Sequence, residues 1–160
     1  MPQRDAQRGA TIIVPGAIVF SDLETQLCEA VWEGDAGRVR ELCAIGADLE
    51  CYNDMGNTPL HLAIEQCDLE IVKILLERGA DPNRTDRSRS WTPLGHAVDS
   101  VSDAASQLGR APDNRIIQVL LQNGADVTVR DFHGWTPLFV ARKYLNVEAQ
   151  ELLHEAGAKE

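Results

Sequence analysis

Apolar positions from about residue 23 onward fall into short helical stripes separated by polar, glycine-marked breaks. The clearest stripe is Ile71, Val72, Leu75 and Leu76, whose 3, 4 spacing puts one apolar face on a short amphipathic helix. Just before it stands Asp68, a side chain that caps free backbone N–H groups, and just after it stands Gly79, which accepts the left-handed conformation that ends a helix. Asp35, Asp113 and Asn146 precede Gly46, Gly124 and Gly157 by the same eleven residues, so a second helix is predicted in each of four units. The first helix of a unit is announced by Thr-Pro-Leu, at Thr58-Pro59-Leu60, Thr92-Pro93-Leu94 and Thr136-Pro137-Leu138. Threonine caps, proline fits the first turn, and leucine starts the buried stripe.

Both signals keep one register. Gly-Ala-Asp occurs at Gly46-Ala47-Asp48, Gly79-Ala80-Asp81 and Gly124-Ala125-Asp126, and Gly157-Ala158 follows. The intervals are 33, 45 and 33, a 33-residue period with 12 residues inserted in the middle. Counting back 33 from Thr58 gives Thr25 as the start of the first unit.

The segments Gly56-Asn57-Thr58-Pro59-Leu60-His61-Leu62-Ala63, Ile74-Leu75-Leu76-Glu77-Arg78-Gly79-Ala80-Asp81-Pro82-Asn83 and Asp131-Phe132-His133-Gly134-Trp135-Thr136-Pro137-Leu138 closely resemble the ankyrin repeat. The resemblance implies an all-α repeat solenoid of four stacked helix-turn-helix units with finger loops or β-hairpins along one edge. Residues 1–21 then form an N-terminal extension and residues 22–160 the repeat domain, with repeats near 22–54, 55–87, 88–132 and 133–160. It also implies that His61 ties its helix to a finger by a structural hydrogen bond, with His96 doing similar work from a shifted place.

Some units depart from the pattern. The first has Gln26 and Cys28 in place of Pro and His, and sets Arg38 and Arg40 among apolar positions; the last has Gln150 and His154. Both look like caps, so the array is expected to be complete. The third has a finger one residue longer, Ser90 where glycine is usual, and Gly95 before His96. Between its helices, residues 99–112 exceed the usual length by about eleven. Asp99, Asp103, Ala104, Ala105 and Gln107 prolong the first helix by about two turns before Gly109 stops it, either as a neutral insertion or as a bracing or partner-specific feature. Ahead of the repeats, residues 11–14 and 17–20 read as two extended apolar pieces around Pro15-Gly16, expected to fold over the first repeat rather than stay exposed.

Charge and chemistry narrow the function. The net charge of −10 argues against nucleic acid or an anionic membrane as main partner, and no apolar run is long enough to span a bilayer. Cys28, Cys43, Cys51 and Cys67 lack zinc spacing and read as reduced small hydrophobes of a cytoplasmic protein. No nucleophile, phosphate-loop or metal motif is present, and the four histidines do not converge; no enzyme activity, cofactor or metal is expected.

A partner is therefore expected to be another protein, met by a chain that is monomeric when free. In ankyrin repeats partners usually meet the finger tips and the exposed side of the first helices. By register those positions are Asp54, Met55 and Asn57 in the first finger, Arg87, Arg89 and Trp91 in the second, and Phe132, His133 and Trp135 in the third. The first helices add Trp32, Glu65, Gln66, Asp99, Lys143 and Tyr144. All three tryptophans fall in this set, as an exposed aromatic strip for recognition would require. The long insertion resembles those of small stand-alone bacterial ankyrin proteins, some of which are immunity proteins that mask a toxin or enzyme; steric neutralisation is the alternative to a plain binding module.

Overall fold

The computed structural model describes residues 11–14, 17–20, 23–109 and 111–159, with side chains from residue 23 onward. Strands β1 (Thr11–Val14) and β2 (Ala17–Phe20) pair antiparallel, Thr11 opposite Phe20. The expectation that this stretch covers the first repeat concerns side chains outside the described residues.

Among the described residues eight helices follow in four antiparallel pairs: α1 (Leu23–Glu33) with α2 (Ala36–Ala44), α3 (Pro59–Glu65) with α4 (Leu69–Glu77), α5 (Pro93–Leu108) with α6 (Arg115–Gln122), and α7 (Pro137–Lys143) with α8 (Val147–Glu155). First helices stack on first helices and second on second, which makes a two-layer solenoid. Thr58, Thr92 and Thr136 cap α3, α5 and α7, each hydroxyl accepting the N–H of the third residue on, and proline occupies the first turn. In the first unit α1 already begins at Leu23, so Thr25 lies inside the helix. Without a proline behind it, nothing forces the helix to start there.

Asp35, Asp68 and Asn146 cap α2, α4 and α8 through their side chains. Asp113 does not: the cap residue of α6 is Asn114, whose side chain makes no capping bond. Asp113 instead accepts from the backbone and guanidinium of Arg115. The longer connection delivers the chain one residue later, and Asn114 is drawn into the interior. There the Asn114 and Asn146 amides bond each other reciprocally, at 3.3 and 2.8 Å, and Asn146 also donates to Ser102 Oγ at 3.1 Å.

Ser102 sits on the prolonged part of α5. That helix has 16 residues where α3 and α7 have 7, and it ends at Gly109 with φ 61. Val101, Ser102 and Ala105 are buried, so the insertion braces the third unit against the fourth. The core is aliphatic: Leu27, Leu60, Ile64, Ile71, Leu75, Leu94, Ile117, Leu120 and Leu153 are almost fully buried, with no aromatic side chain among them. The turns between helices need a left-handed residue, and Gly34, Cys67 and Leu145 fill that position with φ of 73, 54 and 56.

Candidate functional site

Three fingers project between the helix pairs, and one carboxyl or amide side chain shapes each. Asn53 Oδ1 accepts the N–H groups of Met55 and Asn57, Asp86 Oδ1 those of Ser88 and Arg89, and Asp131 Oδ1 those of His133 and Trp135. Backbone bonds join finger to finger, from Arg87 N–H to Gly56 O (2.9 Å) and from Phe132 N–H to Arg89 O (3.1 Å). The fingers are thus one connected edge, and their tips are preordered. Ser90 takes φ 55 where Gly134 takes 81, the position at which the second finger accommodates its extra residue.

His61 fastens this edge to the helices. It is fully buried, with Nδ1 2.8 Å from Thr58 Oγ1 and Nε2 3.0 Å from the Trp91 carbonyl. The geometry fits a neutral ring that accepts the threonine hydroxyl and donates to the carbonyl, and burial depresses its pKa. His96 does no such work. Gly95 occupies the bonding position, and the His96 ring stacks on His61 with centroids 5.7 Å apart and leans on Trp91. Its Nδ1 is buried without a hydrogen-bond partner. Burial, reinforced by the His61 neighbour, lowers its pKa to about 4.

Trp91 also departs from expectation. The sequence placed it on an exposed strip; the structure buries it at 9% exposure, with Nε1 donating to Asp131 Oδ2 at 2.9 Å. It packs along its finger because the next finger supplies an acceptor. Burial alone pushes the Asp131 carboxyl up, but the bonds from Trp91, Trp135 and His133 outweigh it and hold the group below the usual carboxylate range. Trp135, the equivalent residue one finger later, stays partly exposed.

The other expected positions are accessible. Trp32 (60% exposed), Met55 (71%) and Phe132 (59%) stand out among the large side chains in the open. Asp54, Glu65, Gln66, Arg87, Arg89, His133 and Lys143 are exposed; Asn57, Asp99, Trp135 and Tyr144 are half-buried. Trp32, on α1, stands apart from the rest. The third finger and α7 gather the aromatics into a row: Phe132 against His133, His133 on Trp135 (centroids 4.9 Å), and Trp135 against Phe139 (5.2 Å). Lys143 Nζ lies 4.7 Å from the Trp135 ring and 5.1 Å from that of Tyr144. The Tyr144 hydroxyl bonds Asp99, whose carboxyl burial pushes up despite that bond and Lys143. Phe139 was not anticipated. It follows Thr136-Pro137-Leu138 where His61 follows Thr58-Pro59-Leu60, and that equivalence is the signal that marks it.

Beside this row, a groove of about 320 Å³ opens between the first two fingers and the helices, lined by Met55, Asn57, Glu65, Asp86, Ser88, Arg89, Trp91 and His96. A smaller hollow of about 200 Å³ by the first finger is lined by Glu24, Glu29 and Asp54, with Cys28, Tyr52 and Asn53. The Cys28 and Cys51 thiols touch, and that hydrogen bond, with burial, raises the pKa of Cys51. Among the described residues no cluster of three or more His, Cys, Asp or Glu side chains is placed to hold a metal ion, and no helix is long and apolar enough to cross a membrane.

Comparison with known proteins agrees with this geometry. The family model for ankyrin repeats (3 copies) matches residues 27–111. The chain belongs to the ankyrin-repeat family. It is 33% identical over 120 residues to a putative ankyrin repeat protein of Rickettsia bellii, covering 75% of this chain and 33% of that protein. It is 36% identical over 108 residues to human transient receptor potential cation channel subfamily A member 1, covering 67% of this chain and 9% of the channel. With human B-cell lymphoma 3 protein the identity is 33% over 120 residues, 59% of this chain and 26% of that protein. The chain therefore spans a third or less of the length of these relatives. Ankyrin repeats generally mediate protein–protein interaction.

Proposed function

We propose that this chain is a non-catalytic protein-binding module that takes its partner across the finger tips and the first-helix face of repeats two to four. The observation that carries this reading is the row Phe132, His133, Trp135 with Lys143 seated on it, ordered by the hydrogen bonds of Asp131 yet open to solvent. Rigid aromatic groups bury much area on binding at little conformational cost, and such groups dominate binding energy at protein interfaces. Met55 and Arg89 at the groove extend the surface, while Trp91 supports it from beneath. No cofactor is needed for this role, and a monomeric, cytoplasmic chain would suit it. Steric masking of a toxin or enzyme is one form that such binding takes.

Affinity capture from cells that express the protein tests the reading, comparing wild type with a Phe132→Ala/Trp135→Ala/Lys143→Ala variant shown by circular dichroism to fold. A protein retained by wild type and lost by the variant supports it. Equal retention by both removes the site from this face, and a partner whose capture depends on the second-helix layer would contradict the reading outright.

A further inference from the structure

The overall charge of −10 suggests a basic partner, but the charge is not evenly spread over the proposed face. Just N-terminal to it the first repeat is acidic, with Glu24, Glu29 and Asp54 around the hollow by the first finger. From the second finger onward the character reverses. Arg87 lies with its guanidinium carbon 4.0 Å from the Tyr52 ring centroid, Arg89 lies 4.9 Å from that of Trp91, and Lys143 covers Trp135. None of these three cations is in an ion pair among the described residues, although Arg40, Arg84 and Arg115 elsewhere each have a carboxylate. The acidic groups close by are otherwise engaged or set apart. Asp86 and Asp131 are turned inward to hold their fingers; Asp99, half-buried and bonded by Tyr144, feels the charges of Lys143 and Arg89 but forms no ion pair with either among the described residues. Glu65 is the exposed carboxylate that lines the same groove as Arg89.

Stacking on an aromatic face orders a cation without neutralising it, because the ring contributes a quadrupole and no counter-charge. An arginine so held keeps its fork of N–H donors for a carboxylate, and little side-chain entropy remains to be lost when one arrives. An acidic protein has carboxylates to spare for its surface cations, yet these three lie on aromatic faces with no ion pair among the described residues. The arrangement is complementary to carboxylates brought from outside.

We infer that the partner contributes an acidic polypeptide segment, whose carboxylates meet Arg89 and Lys143 while its apolar side chains cover Trp135 and Phe132. This rests on the proposed binding face and specifies what that face takes. It reverses the expectation from net charge, since the local field and not the total decides what can dock at short range.

The test is a selection from a displayed random-peptide library against the full-length chain, followed by affinity measurement of the enriched peptides on variants. The expected result is enrichment of peptides with more Asp and Glu than Lys and Arg. Their binding should weaken as salt is raised and fall by about tenfold or more in Arg89→Ala/Lys143→Ala. The same peptides should bind Glu65→Ala at least as tightly as wild type. Both cations are exposed, so the double variant should keep its fold, which circular dichroism checks. Enrichment of basic or uncharged peptides that still depend on Phe132 and Trp135 would overturn the acidic-segment inference and leave the binding face standing. If no peptide depends on this face, both fall.

Discussion

Repeats two and three carry the same Thr-Pro-Leu start and one histidine each, with rings 5.7 Å apart, yet the two histidines have opposite standing. His61 has both ring nitrogens bonded and ties α3 to the second finger. One position of slippage puts Gly95 in the corresponding place and leaves His96 stacked beside it, with Nδ1 unpartnered and the ring lining a groove. The difference extends along the helices. In repeat two a short turn at Cys67 joins the helices, whereas repeat three runs α5 on to Leu108 and spends its extra turns on Ser102 and the buried amide pair. The second repeat is held by the general scheme of the family. The third has given up one tie of that scheme, gained a brace to the fourth, and acquired the groove.

Substituting the two histidines should separate the repeats most sharply. His61→Ala strips partners from a buried carbonyl and a buried hydroxyl and leaves a void, and is expected to cost about 3 kcal/mol in urea unfolding. His96→Ala removes a ring that makes no such bonds and should cost about 1 kcal/mol or less. Equal losses would show that the two rings do the same work. Next, Asn146→Ala should cost about 2 kcal/mol, since α8 loses its cap and Asn114 its partner. Ser102→Ala should cost about 1 kcal/mol and be non-additive with it, because the two belong to one network.

The pH dependence separates the repeats in a different way. His96 has a folded pKa of about 4 against an ordinary 6.5, so between these values the unfolded chain binds more protons than the folded one. Its contribution is therefore fully present above pH 6.5 and is lost as the pH falls towards 4. Unfolding followed across that window should show stability rising with pH, and His96→Gln should flatten the part of the slope that His61, shifted in the same direction, does not supply. The smallest effect concerns the finger. Ser90→Gly relieves a left-handed serine and should raise stability by roughly 0.5 kcal/mol, the strain relief being partly offset by a freer unfolded chain.

Most of the fold was legible because the repeat states it several times over. Threonine caps, prolines and terminal glycines act locally, so the sequence alone placed α2, α3, α4, α5, α7 and α8, and even the lengthening of α5 to Gly109. What escaped were features that depend on a neighbour distant in the chain. Trp91 and Trp135 stand in the same local setting, just before Thr-Pro-Leu, and sequence treats them alike. Only the stacked structure shows that Trp91 meets Asp131, 40 residues on, and is buried, while Trp135 stays partly exposed. Asn114 was passed over for Asp113 for a similar reason. Its role is set by Asn146, 32 residues away, and not by helix capping. That Arg89 and Lys143 form no ion pair among the described residues is likewise invisible in a sequence rich in acids.

Photo-crosslinking in cells would show whether the finger and first-helix face of repeats two to four is the surface that engages a partner. A photoreactive residue would be placed singly at Met55, Phe132 or His133, and for comparison at Lys73 and Gln122 on the exposed side of the second-helix layer. One protein is expected to be crosslinked from the three finger positions and from neither of the other two. A partner crosslinked from Lys73 or Gln122 but from none of the finger positions would contradict it.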